Sequence, residues 1–210
     1  MKKVLFISIY CILISCFGFA QSKVLLLGGQ EFEGKLISED TEKIFLEVTT
    51  KKGKVKEVGM WKDRVFSITT SGKEKFYYEV DTSDQEMYSV EEMRYYIFGQ
   101  QDANLNHKTT FPIIMAAVVS GSLTFLMASD NNAFLLTAPV LGAILGSVVQ
   151  DNRPKPKNAR NPKVLSNPAY VEGYRKTART KKILNSIKSA VIAGIVGTTA
   201  GLIVHSNKEE

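Results

Sequence analysis

The chain has 210 residues, 44% of them hydrophobic and 23% charged, and a formal net charge of +6. That length suits one compact domain of modest size plus a membrane region and excludes two large globular domains. Residues 21–105 carry 12 Lys/Arg against 16 Asp/Glu, whereas residues 151–188 carry 11 against 2, so the basic character belongs to one segment.

Met1-Lys2-Lys3 supplies a positive n-region, residues 4–20 are apolar apart from a few small polar side chains, and Gly18-Phe19-Ala20 places small residues where a signal peptidase reads. This predicts a secretory signal over residues 1–20, cleaved before Gln21. Two other readings are a lipoprotein, because Leu13-Ile14-Ser15-Cys16 fits a lipobox with Cys16 acylated, and an uncleaved anchor. Phe17-Gly18-Phe19-Ala20 is a poor polar tether, which favours ordinary cleavage. Cys11 and Cys16 are the only cysteines, so cleavage after Ala20 leaves no thiol for a disulfide or a cysteine-ligated metal.

Residues 21–82 read as a small all-β domain, with short apolar runs broken by turn residues every 8 to 12 positions or so. Strands are predicted over residues 23–27, 31–38, 43–49, 54–61, 65–69 and 75–80. Gly28-Gly29, Glu39-Asp40, Lys51-Lys52-Gly53 and Ser71-Gly72-Lys73 supply turns. Phe32, Gly34, Leu36 and Ser38 share one face of the second strand, as do Ile44, Leu46 and Val48 in the third. So short an antiparallel meander is expected to curl into an SH3-like or Sm-like barrel, because closure removes exposed edges.

The period changes over residues 83–108. Ser89-Val90-Glu91-Glu92 is a capping-box pattern, and Val90, Met93 and Ile97 fall on one face of a helix expected to run to about Gln101. Tyr95, Tyr96 and Phe98 make it aromatic and are expected to pack on the barrel; a ligand-stacking surface is the other reading. Residues 109–150 contain one charge, Asp130. Residues 111–129 and 133–150 each approach the length that crosses about 30 Å of hydrocarbon, so this stretch reads as an apolar helical hairpin with a polar tip at Asp130-Asn131-Asn132. Pro112 suits a first helical turn; Pro139 is expected to kink the second arm. The competing reading, a hairpin buried in a soluble core, needs more surrounding mass than this chain has.

Pro154, Pro156, Pro162 and Pro168 make residues 151–168 an extended, lysine-rich loop. Asn167 then caps a helix with Pro168 at its first position, and residues 169–205 read as one helix, basic first and glycine-zipper-like after, followed by a tail over residues 206–210. Tyr170, Tyr174, Arg175, Lys176, Arg179, Lys181 and Lys182 are expected to contact lipid headgroups, as tyrosines and cations beside an apolar helix do. A plain solvated helix is the alternative. Small residues recur every fourth position at Ala138, Gly142 and Gly146 and again at Ser189, Ala193, Gly197 and Gly201, a spacing that lets helix backbones approach closely in lipid. Gly142, Gly146, Ser189, Ala193, Gly197 and Gly201 are therefore the expected helix-packing positions, toward the hairpin or a second copy.

No reaction is specified. His107 and His205 stand alone with no second ligand at metal-binding spacing, and no Walker A, G-x-S-x-G, H-E-x-x-H or dinucleotide fingerprint occurs. No catalytic, cofactor-binding or metal-binding residue and no cofactor is assigned. An acidic β half and a separate basic segment argue against nucleic acid and toward anionic lipid headgroups.

Phe19-Ala20-Gln21, Gly99-Gln100-Gln101-Asp102-Ala103 and Asn167-Pro168-Ala169-Tyr170-Val171-Glu172-Gly173-Tyr174 are short motifs spread over most of the chain. In these, and in the order of its elements, the chain resembles uncharacterised exported envelope proteins of Bacteroidetes-type bacteria, in which a small β unit precedes glycine-rich hydrophobic helices. The resemblance implies an architecture and a compartment and carries no catalytic or binding residue.

The expectation is an α+β protein of the cell envelope, its β domain in the periplasm, with a non-enzymatic role as a scaffold or complex subunit that self-associates or binds another envelope protein. The alternative is a small oligomeric channel lined by the small-residue ladder. Export would also place the basic loop outside if both hairpin arms cross the inner membrane, against the positive-inside rule. One arm failing to cross, a re-entrant hairpin, or residence in the outer membrane would each remove that conflict.

Overall fold

The computed structural model describes residues 21–50, 53–80, 88–130, 137–148 and 151–209. The expected export signal, with Cys11 and Cys16, lies outside the described residues, as do Lys51-Lys52 and Asn131-Asn132. The chain is α+β and divides between Val90 and Glu91 into two compact units.

Among the described residues the first unit holds six strands, β1 (Ser22–Leu26), β2 (Glu31–Glu39), β3 (Lys43–Thr49), β4 (Val55–Trp61), β5 (Val65–Thr70) and β6 (Lys73–Phe76). They form one antiparallel sheet in the order β4-β3-β2-β1-β5-β6. β2 turns the corner: its first half pairs with β1 and its second half with β3. Gly34 sits at that change of partner, where any Cβ would run into the Glu47 carbonyl, so only glycine lets the strands bend there. Val24, Ile44, Leu46, Met60, Val65 and Ile68 fill the concave face. On the other face Phe66 is covered by Phe76 and Tyr78, so β5 is buried on both sides.

Three expectations change. The sheet does not close into a barrel: β4 and β6 remain edges, and charges such as Lys56, Glu57, Lys73 and Lys75 occupy them. Ser38 leaves the shared face because a bulge at Ile37 shifts the register, so that Leu36 pairs with Leu46 but Ser38 with Phe45. The last strand starts two residues early because Ser71 and Gly72, with φ of 51° and 80°, form a two-residue turn that pairs Thr70 with Lys73.

Among the described residues the second unit holds four helices, α1 (Val90–Asn106), α2 (Thr110–Ser129), α3 (Thr137–Val148) and α4 (Pro168–Glu209), with two 3-10 turns, Pro156–Asn158 and Pro162–Ser166, between α3 and α4. α1 begins one residue after Ser89 and outruns its expected end at Gln101 by five residues. Pro139 lies in α3, whose described residues begin at Thr137. Asn167 Oδ1 accepts the amides of Ala169 and Tyr170 at 3.0 and 3.3 Å, capping α4. With 42 residues α4 is about 63 Å long, twice a bilayer's hydrocarbon thickness.

Candidate functional site

α2, α3 and α4 pack as a bundle whose interior consists of small side chains. On α2 the buried positions Pro112, Ala116, Ser120, Thr124 and Ala128 follow one another a turn apart, with Ser129 buried beside the last. On α3 they are Ala138, Gly142 and Gly146. A Cβ at Gly142 would meet the Ala116 carbonyl at 2.8 Å, and one at Gly146 would meet the Pro112 carbonyl at 2.8 Å. α3 therefore runs antiparallel to α2 with the backbones in contact. α4 runs parallel to α2: Asn185 donates to Thr109 Oγ1, Ser189 Oγ to the Ile113 carbonyl, and Gly201 lies against the Phe125 carbonyl.

Gly197 faces the Gly121 carbonyl and Thr124 Oγ1, leaving no room for a side chain. Ser189 and Ala193 are half-buried at the edge of the α2 contact, while Ala190 and Gly194 take the centre between α2 and α3. Ser120 Oγ donates to the Ala190 carbonyl at 2.6 Å, a buried hydrogen bond between helices. The large apolar side chains point the other way. Val118, Leu126, Val140, Ile144, Ile192, Ile195 and Val196 are all exposed, Ile195 to 64%.

Above this bundle α1 crosses the first turns of α4 at two glycines. Gly99 lies against the backbone of Tyr170 and Tyr174, and Gly173 against that of Tyr96. The crossing brings the Gly99 to Ala103 motif onto the Asn167 to Tyr174 motif. Asp102, 3% exposed, is its electrostatic centre. Its Oδ2 accepts the Tyr170 hydroxyl at 2.8 Å and the Arg160 amide at 2.9 Å, and its Oδ1 accepts Arg160 Nε at 3.1 Å. The guanidinium stacks 4.2 Å from the centre of the Phe98 ring and reaches Gln101 Oε1 at 2.8 Å. Burial, and then the bond to Asp102, pushes the Tyr170 phenol above its ordinary value.

Tyr174 sits between Asn158 and His107. Asn158 Nδ2 donates to its hydroxyl at 3.0 Å, and that hydroxyl lies 3.3 Å from His107 Nδ1. Burial, with Lys181, Lys182 and Lys155 nearby, holds the His107 imidazole below its usual basicity. Lys181 Nζ donates to the carbonyls of Asn104 and His107 at 2.7 and 2.9 Å, satisfying the end of α1. This contact, with buried Asp102 and Ala103, explains why α1 runs past Gln101.

Several headgroup expectations are thereby corrected. Tyr170 and Tyr174 are fully buried, their hydroxyls turned to Asp102, Asn158 and His107 instead of lipid. Lys182 is 3% exposed, and Lys181 is bound to α1 carbonyls. Arg175, Lys176 and Arg179 are on the outer face. Tyr95 and Phe98 pack on the Tyr170-Tyr174 cluster within the second unit.

The sequence reading missed the α2 stripe, Asp102, Arg160 and Asn158. The stripe's four-residue period was there to be read; for Asp102 the one signal was that no other acid lies between Glu92 and Asp130. Among the described residues no three His, Cys, Asp or Glu side chains come together to hold a metal ion. Comparisons with protein-family models, curated proteins and solved structures find no match to the chain.

Proposed function

We propose that the protein is a non-enzymatic cell-envelope membrane protein in which α2, α3 and α4 form a lipid-embedded bundle and the α1 crossing a rigid collar beside it, serving as a scaffold or complex subunit. The observation that carries this reading is the inversion of the bundle: glycine, alanine, serine and threonine inside, leucine, isoleucine and valine outside. α2 and α4 are long and apolar enough to cross a membrane, and only 28% and 22% of their most apolar windows are buried, unlike the core helices of a water-soluble protein. In water that surface is costly; in lipid, where tails are as apolar as leucine, close packing of small residues is what holds helices together.

The collar bears on topology. Asn106 Nδ2 donates to the Asn158 carbonyl and Arg160 binds Asp102, so the chain before α2 and the chain after α3 meet at one end of the bundle. This supports a hairpin that returns to its starting side and weighs against one arm alone failing to cross.

The pore reading lacks a lining, since Gly197 and Gly201 are spent on α2. For the first unit, the return of β5 beside β1 after the 3-10 turn Lys62–Arg64 supports an SH3-like sheet suited to binding a partner.

The full chain, reconstituted with phosphatidylcholine vesicles, should float with them and resist extraction by carbonate and by high salt. Release by either treatment would show peripheral attachment by charge and overturn the embedded bundle.

A further inference from the structure

At the collar end of the bundle a cavity of about 410 Å³ is lined by Lys108, Arg153, Lys155 and Lys157, with one carboxylate, Asp151, and with His107 in its wall. Its size falls within the roughly 300–1,000 Å³ of small-ligand pockets. The loop that supplies three of the cations is pinned by Asn106 and by the Asn158 to Tyr174 bond.

Behind the wall a hydrogen-bond chain runs from Asn158 through the Tyr174 hydroxyl, which lies 3.3 Å from His107 Nδ1. His107 is 4% exposed, and among the described residues Nε2 has no hydrogen-bond partner. With four cations against one carboxylate around the cavity, the ligand that fits it is anionic.

We infer that this cavity is a binding site for a phosphate-bearing anion, with Lys108, Arg153, Lys155 and Lys157 neutralising its charge and His107 in the wall beside it. Phosphate chemistry suits the arrangement because several tetrahedrally disposed oxygens can accept from side chains on different sides of the pocket. None of these residues belongs to the exposed cationic face at Arg175, Lys176 and Arg179. The anion can be free phosphate or the phosphodiester of a phospholipid. Only the lipid source rests on the embedded-bundle reading; the phosphate site itself does not.

The test follows the ¹⁵N imidazole resonances of the full chain in neutral detergent as inorganic phosphate is added, with His107→Gln assigning the signal. Phosphate should shift the His107 resonance. Arg153→Gln/Lys155→Gln/Lys157→Gln, all at exposed positions, should weaken that response at least about tenfold. Arg175→Gln/Lys176→Gln/Arg179→Gln should leave it unchanged. The same resonance is then read in phosphate-free nanodiscs of phosphatidylglycerol and of phosphatidylcholine. A shift in phosphatidylglycerol alone assigns the site to anionic lipid, and a response to inorganic phosphate alone assigns it to a soluble phosphate. A His107 resonance that moves in neither medium, or a response abolished equally by both triple variants, would overturn the proposal. Failure of the bundle reading would show separately, as a protein that does not float with vesicles yet still binds phosphate in buffer.

Discussion

Gly197 on α4 lies directly against the backbone carbonyl of Gly121 on α2, two helices running parallel with no side chain between them. The same absence recurs one turn on, where Gly201 meets the Phe125 carbonyl, and across the bundle, where Gly142 meets that of Ala116. Where backbones touch, the attraction comes from dispersion over the whole length of contact, and one added side chain separates the helices along several turns.

Replacing both Gly197 and Gly201 with leucine should therefore lower the thermal stability of the full chain in detergent, by about 1–3 kcal/mol for each overpacked site. Ile195→Leu, on the outward face, should change little. Leucine favours helix over glycine, so propensity alone pushes the other way. A double variant that melts at or above the parent temperature would mean that this face is not packed.

The buried carboxylate of Asp102 is held by Arg160 and Tyr170 across 58 and 68 residues of chain. Tyr170→Phe should cost about 1.5–3 kcal/mol, the range for a hydrogen bond to a charged group. Asp102→Asn should cost more, because it leaves the Arg160 guanidinium without its counter-charge. The double variant should cost clearly less than the two single losses added together, since both remove the same bond; strict additivity in a denaturation cycle would show that the two groups do not interact.

In the first unit Glu39 accepts from Lys62, Tyr77 and Lys75, with Tyr77 Oη at 2.8 Å, and the Lys62 bond does most to pull its carboxyl down to about 2 from 4.5. The folded form thus releases this proton more readily than the unfolded chain. Its stabilisation is complete above pH 4.5 and disappears as pH falls toward 2. The effect should be modest because the partners reach solvent, Lys75 being 64% exposed. A fragment of residues 21–90 should melt cooperatively with a β-type circular dichroism spectrum, and Glu39→Gln should flatten its loss of stability over that pH window. An unchanged acid limb would place the titrating group elsewhere.

Legibility in the sequence followed the range of the interaction. The positions of β1 to β5 and the Asn167-Pro168 start of α4 depend on neighbours a few residues apart, and they stand where the pattern puts them. The bulge at Ile37 is set by the partner strand, so nothing within residues 31–39 announces it. Tyr170 and Tyr174 carry the composition of an interfacial belt, and their true partners, Asp102 and His107, are 68 and 67 residues away. The α2 stripe from Pro112 to Ala128 was hidden differently: among large apolar residues, small ones read as gaps until two other helices are seen to fill them.

The central claim, that the large outward side chains of the bundle face lipid, is tested most directly by nitroxide labels at Val118→Cys, Val140→Cys and Ile195→Cys, in a Cys11→Ser/Cys16→Ser background reconstituted into phosphatidylcholine vesicles. All three positions are exposed on the bundle's outer surface. At each, the account predicts frequent collision with dissolved oxygen and strong protection from an aqueous nickel chelate. Free collision with the nickel chelate at these positions would place the surface in water and contradict it.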